Sequence, residues 1–280
     1  MAKATKKSKA KGGSMREKAK KKAEKNMSRG GNQLLAVPEG ANFLKAKKRL
    51  NMDILPYTVS VHTHPEVQEG DLWYQRTYFA HFGIGSDNKA FVCPKTIKKP
   101  CPICEYVKEL FNSDDEDNVK MAKEIKAKER EIYNVIDLDD QEKGVQLFEM
   151  SYHLFGKALD EEINEGSEEL GDFAELEGGK TLDVHFRKKK WNNNEFFEVR
   201  KIDFDDRDDY DEDILDDVYD LDKLLIIKDY ETLRNTLFDT EDEELDEEDG
   251  DEEDGDEDED DKKKSKKKSS KKSTTKKKSS

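Results

Sequence analysis

Charge in this chain is sorted along its length, and the sorting decides where a hydrophobic core can form. Residues 239–261 carry nineteen acids and no base, and residues 262–280 carry eleven Lys among Ser and Thr only. Residues 1–30 carry twelve Lys and Arg against two acids. Segments with so little to bury cannot offset the entropy of ordering. Disordered charged termini are therefore expected: a basic arm over 1–32, an acidic tail over 239–261 and a Lys/Ser-rich tail over 262–280. The formal charge of −16 divides into +10, −18, −19 and +11, the −18 belonging to residues 31–238. That body holds nearly all the aromatic residues and is long enough for a real core. Because even the body is acidic, binding to an anionic partner must rest on a local basic face.

No run of residues approaches the roughly 18 to 20 apolar positions that cross a bilayer. The basic N-terminus lacks a following apolar stretch, so it does not read as a secretory signal. Three cysteines cannot all pair, which argues against a disulfide framework and for thiols or a metal site in the cytoplasm.

Several short segments read as strands: Leu55–Ser60, Trp73–Phe82, Phe91–Cys93, Ile132–Leu138 and Val145–Met150. Leu182, Val184 and Phe186 alternate with Asp183, His185 and Arg187, the period of a half-buried strand, and a polar turn leads to Phe196–Ile202. A short helix is expected after Cys104, where Val107, Leu110 and Phe111 fall on one face, and a charged helix or loop over Asp114–Arg130. Ser151 reads as the N-cap of a helix carrying Tyr152, Phe155, Leu159 and Ile163. Asp203–Asp222, with twelve acids and one Arg, is expected to repel itself and lie open; a last helix is expected before the acid block. The fold class is mainly β with α, a small barrel with insertions.

Every cysteine lies within twelve residues, as Cys93-x7-Cys101-x2-Cys104. Zinc takes four soft or borderline ligands in a tetrahedron, and thiolate and imidazole supply them. His62, His64 and His81 all precede the cysteines. With His81 the four positions are filled and the site is closed and structural; a CxxC redox pair beside a buried thiol is the plainer reading. His64-Pro65-Glu66 with Pro100-Cys101-Pro102-Ile103-Cys104 also fits the H-x-E…P-C-x-x-C pattern of zinc deaminases, with Glu66 moving protons. That chemistry needs His and Glu preorganised at an open metal position, whereas here they fall in a Pro/Gly-containing loop, and Cys93 has no role.

Basic residues interleave with aromatic ones: Lys45, Lys47, Lys48 and Arg49; Arg76 beside Tyr74 and Tyr78; Lys95, Lys98 and Lys99; Lys126, Lys128 and Arg130 before Tyr133; Arg187, Lys188, Lys189 and Lys190 before Trp191. Proteins that bind single strands combine cations that track phosphates with rings on which bases stack. Phe79, Phe148, Phe155 and Phe186 are expected to be core instead. Other enzyme motifs fail. Gly179-Lys180-Thr181 lacks the earlier glycine of a P-loop, where Ala174 stands, and the Asp-rich run lacks EF-hand spacing. An acidic interaction scaffold, binding basic proteins through the acid block, is the remaining class.

The series His81-x11-Cys93-x7-Cys101-Pro-Ile-Cys104, followed by Glu105-Tyr106-Val107, resembles the zinc-binding segment of the helix-destabilising single-stranded DNA-binding proteins of T4-like bacteriophages. Lys126 through Asp137 is similar to that family's basic-then-aromatic strand, and Lys143 through Lys157 to its strand followed by Phe-Gly-Lys. The similarity spans roughly residues 40–205. It implies an OB-fold core over 33–205 with a zinc subdomain near 78–112, followed by an acidic linker and helix over 206–238. One structural Zn2+ would be held by His81, Cys93, Cys101 and Cys104. The implied partners are single-stranded DNA, further copies through the basic arm, and replication, recombination and repair proteins through the acidic arm, in the cytoplasm of an infected bacterial host cell. The acidic arm is also expected to compete with DNA for the cleft.

Overall fold

The computed structural model of the chain describes residues 34–191 and 194–240; the basic arm and both C-terminal tails expected from the sequence lie outside them. Among the described residues nine strands and four α-helices follow one another. They are β1 (Arg49–Leu55), β2 (Tyr57–Thr58), β3 (Leu72–Trp73), β4 (Gln75–Ile84), β5 (Lys89–Val92), α1 (Pro102–Phe111), α2 (Glu116–Ile125) and β6 (Lys128–Asp137), then β7 (Val145–Ser151), α3 (Gly156–Glu165), β8 (Lys180–Trp191), β9 (Asn194–Asp206) and α4 (Tyr230–Phe238). Seven strands form one antiparallel sheet in the order β5-β4-β6-β1-β8-β9, with β7 on the other edge of β6. β6 shares one edge between β4, opposite residues 128–133, and β1, opposite residues 134–137, while β7 runs along 130–136. The ladder does not return on itself, so the sheet is not closed into the small barrel expected from the sequence.

Because side chains alternate across a strand, β6 feeds two cores. Tyr133 and Val135 join Leu50, Met52, Phe148, Phe155 and Phe186 on one side, and Ile132 joins Tyr57, Tyr78, Ala80 and Leu221 on the other. The expected alternation in β8 holds, with Leu182, Val184 and Phe186 buried. The third cluster contains Cys93, Cys101, Ile103, Val107, Leu110, Ala122, Ile125 and Leu233, and it joins the cysteine segment to α1, α2 and α4. α1 starts with Pro102, whose missing N–H costs nothing at that position, and buries Ile103, Val107 and Leu110. α2 is capped by Asp115, which accepts a hydrogen bond from the Asp117 N–H, and buries Ala122 and Ile125.

Two local expectations are corrected. Ser151 closes β7 and caps no α-helix; a 3-10 turn intervenes and α3 starts at Gly156, although Phe155 and Leu159 are buried as expected. The Asp203–Asp222 run does not lie open. β9 continues to Asp206, and the following segment is fastened across the sheet. The Tyr210 hydroxyl donates to Asp53 at 2.6 Å, Asn134 exchanges two hydrogen bonds with the Tyr219 backbone, and Leu221 and Leu224 are buried. Its acids alternate with enough aromatic and aliphatic residues to dock it, and the one deeply placed acid, Asp222, is ion-paired with Arg76 at 2.8 Å.

Candidate metal centre and nucleic-acid interface

Three elements bring four candidate ligands to one point. His81 lies in β4, Cys93 follows β5, Cys101 precedes α1, and Cys104 stands in its first turn. The ligand atoms all lie within 4.8 Å of one another. Cys93 Sγ and Cys104 Sγ are 3.5 Å apart, and His81 Nε2 is 3.5 Å from Cys101 Sγ and 3.6 Å from Cys104 Sγ. Tetrahedral zinc, with bonds of about 2.3 Å to sulfur and about 2.0 Å to nitrogen, separates sulfurs by about 3.8 Å and sulfur from nitrogen by about 3.6 Å. The residues therefore fit a four-coordinate ion. His81 Nδ1 lies 2.8 Å from the Ile125 carbonyl, which accepts from an Nδ1–H and leaves the Nε2 lone pair for a metal. Burial opposes a charged His81, but the Cys101 and Cys104 sulfurs and that carbonyl outweigh it and lift the imidazole to about 9. The Cys104 thiol is held well below the usual thiol range by Cys101 and Cys93 and then by His81. His81, Cys93 and Cys101 are buried and Cys104 is partly so, which withdraws the cluster from solvent.

His64 is not among these ligands. Its Nδ1 accepts from the Glu66 and Val67 N–H groups within its own loop, so the deaminase set of His64, Glu66, Cys101 and Cys104 is not assembled. Asp183, His185 and Asp203 also group together, but Arg49 already neutralises Asp183 through a two-pronged pair.

The candidate DNA contacts are dispersed. Arg76, Tyr78 and Tyr133 are interior side chains, at 1%, 0% and 0% exposure, which removes them from any surface that meets DNA. Arg76 pairs with Asp222, the Tyr78 hydroxyl donates to Glu149, and the Tyr133 hydroxyl donates to Glu131. Tyr74 is half-buried, with its ring against Trp73 and Phe173. Lys47 is paired with Asp139 and Asp137, Arg187 and Lys189 with Glu198, and Lys188 with Glu195. Lys45, Lys48 and Lys190 are exposed. Trp191 is placed through its backbone alone, as the last residue of β8 opposite Asn194. The register sets Met52 against Asp137, so Lys45–Arg49 lie beyond the end of β6 opposite Lys126 and Lys128. The strand between them spans roughly 30 Å, so the expected single face is two.

One of these two carries unpaired cations around rings. Lys126 and Lys128 are exposed and make no ion pair among the described residues, and neither do Lys95, Lys98 and Lys99 on the metal loop. Lys128 Nζ and the Arg130 guanidinium stand 5.6 and 5.7 Å from the Phe82 ring centre, and Arg130 is held by Glu149. Phe79, expected in the core, is 39% exposed. Its N–H bonds Thr96 Oγ1 and its carbonyl accepts from the Cys93 N–H, which seats it against the metal loop. Phe82 was missed; it follows Tyr78 and Ala80 at the period of one strand face, opposite to the face of Phe79, and packs partly against their core. Phe148, Phe155 and Phe186 are buried as expected.

A family model described as gp32 DNA binding protein like matches residues 80–241. The chain belongs to this gp32-like DNA-binding family. The match contains the whole ligand set, β6 and its cations, and continues through the fastened acidic segment to α4. It starts at Ala80, later than the resemblance drawn from the sequence, and leaves β1–β3 outside. No curated protein matches the chain. Among the described residues no helix is long and apolar enough to cross a membrane.

Proposed function

We propose that this gp32-like chain binds single-stranded DNA without sequence preference, coating and protecting exposed strands during replication, recombination and repair. The observation that carries the reading is the unpaired cations Lys126 and Lys128 beside the half-buried Phe82 ring, with the exposed Phe79 and the unpaired Lys95, Lys98 and Lys99 on the cysteine loop next to them in the fold. Cations there neutralise phosphates, and the rings offer faces to any base. Zinc is the ion that His81, Cys93, Cys101 and Cys104 would hold, in a structural role that shapes the loop bearing these lysines. The three-way sharing of β6 suits the partly open barrel of an OB-fold. The acidic tail recruits protein partners and competes with DNA, and the basic arm joins neighbouring copies; both belong to residues outside those described.

The test is a fluorescence titration with oligo-dT and with duplex DNA at two salt concentrations. Tight, salt-sensitive binding to the single strand alone is expected. Replacing Phe82 with Ala should weaken it by about 1–3 kcal/mol, the worth of one stacked base. Equal affinity for duplex, or no binding by either, would overturn the reading.

A further inference from the structure

Three depressions of the surface run together through shared walls. One, of about 270 Å³, is apolar and lined by Leu72, Trp73, Tyr74, Ile163 and Phe173. A second, of about 500 Å³, shares Leu72 and Glu175 with it and adds Glu177, Asp211 and Glu212. The third, of about 470 Å³, shares Tyr210 with the second and adds Asp206, Arg207, Asp208 and Asp209. The three adjoin through these shared residues as one grooved stretch of surface, with an aromatic socket at one end and carboxylates along the rest.

The carboxylates are left with charge to spare. Glu175, Glu177, Asp208, Asp211 and Glu212 make no ion pair among the described residues. The one cation in the lining, Arg207, is turned to other work: its guanidinium lies 4.5 Å from the Tyr210 ring centre and donates to the carbonyls of Glu175, Leu176 and Asp208. The socket is preformed, with Tyr74 and Phe173 in edge contact at 4.9 Å, yet Leu72 at its rim is 44% exposed. DNA is repelled by such a surface. Cations are drawn to it, and an apolar side chain gains by filling the socket.

We propose that this groove docks an extended Lys- and Arg-rich segment of a partner protein, which places one branched aliphatic or aromatic side chain in the socket and its cations along the carboxylates. The chain's own basic segments are poorer occupants. Residues 1–30 and 262–280 contain no Leu, Ile, Val or aromatic residue. This site is separate from the lysines and rings proposed for DNA, so each can fail without the other.

The test uses the full-length protein and a fluorescein-labelled twelve-residue Lys-rich peptide with one central Trp, followed by anisotropy. Asp208→Asn, Asp211→Asn and Glu212→Gln together should weaken binding by about tenfold at low salt, while Asp251→Asn, Glu252→Gln and Glu253→Gln should change it little. Leu72→Ser should abolish the preference for the Trp peptide over its all-Lys counterpart. Affinity for oligo-dT should stay unchanged in the groove variants, and circular dichroism should confirm that they fold. The proposal fails if the groove variants bind the peptide like the parent protein. It also fails if the three acid-block substitutions weaken binding as much, or if a peptide of residues 1–30 displaces the probe as well as the Trp peptide does.

Discussion

Glu131 shows how far a single environment can move a carboxyl. Burial raises it to about 7 from an ordinary value near 4.5; the Tyr133 hydroxyl opposes the rise, and Asp160, Glu129 and Glu66 add to it. The folded state therefore binds this proton more tightly than the unfolded chain. Its contribution to stability is complete below about pH 4.5 and is lost as pH rises through about 7. Glu131→Gln should flatten the pH dependence of the melting temperature across that window and stabilise the protein at pH 8 by on the order of 2–3 kcal/mol. An unchanged pH profile by calorimetry would count against it. Arg76 makes a second case at this scale. It is buried beside Asp222, so Arg76→Ala leaves a carboxylate unpaired and should cost about 3–5 kcal/mol in denaturant unfolding. At temperatures where the variant stays folded, affinity for DNA should be near that of the parent.

At the scale of elements, α4 is tied to the metal segment. The Tyr230 hydroxyl donates to Glu105 at 2.6 Å, Tyr106 and Phe238 meet edge to face at 5.2 Å, and Leu233 is buried in the cysteine cluster. Gly85, at φ +68°, sits against the Thr236 carbonyl with no room for a Cβ. Gly85→Ala should lift the C-terminal end of α4, seen as faster hydrogen exchange over 230–238, with β6 unaffected. A chelator that strips the proposed zinc should reach further and accelerate exchange in α1 and α2, because the thin apolar content of this subdomain would rely on the four candidate ligands. Protection in β6 and β7 should persist, since their core does not include the cysteines.

For the whole molecule, the net charge of −16 hides surfaces of opposite sign. DNA affinity should fall steeply with salt, and Lys128→Ala should lower the slope of log affinity against log salt by about 1 while weakening all sequences alike. Substituting the paired Lys188 should do less, because Glu195 already neutralises it. A slope that responds equally to both lysines would mean that the hairpin of β8 and β9 shares the interface.

The amino-acid sequence by itself determined what depends on neighbours a few residues away. The period of two in β8, a short helix carrying Val107 and Leu110 beyond the cysteines and the grouping of His81 with Cys93, Cys101 and Cys104 were legible there, because spacing and ligand chemistry are local. What only the tertiary structure decided is burial and charge pairing between distant residues. Tyr78 and Phe79 are adjacent and equally aromatic, yet Tyr78 is withdrawn to reach Glu149, 71 residues on, and Phe79 is left at the surface. The acidic run after β9 reads as a solvated linker until Asp53, Asn134 and Arg76, none of them near it in the chain, hold it down. Composition alone cannot tell a free cation or carboxylate from a paired one; the partner that neutralises it is chosen by the fold.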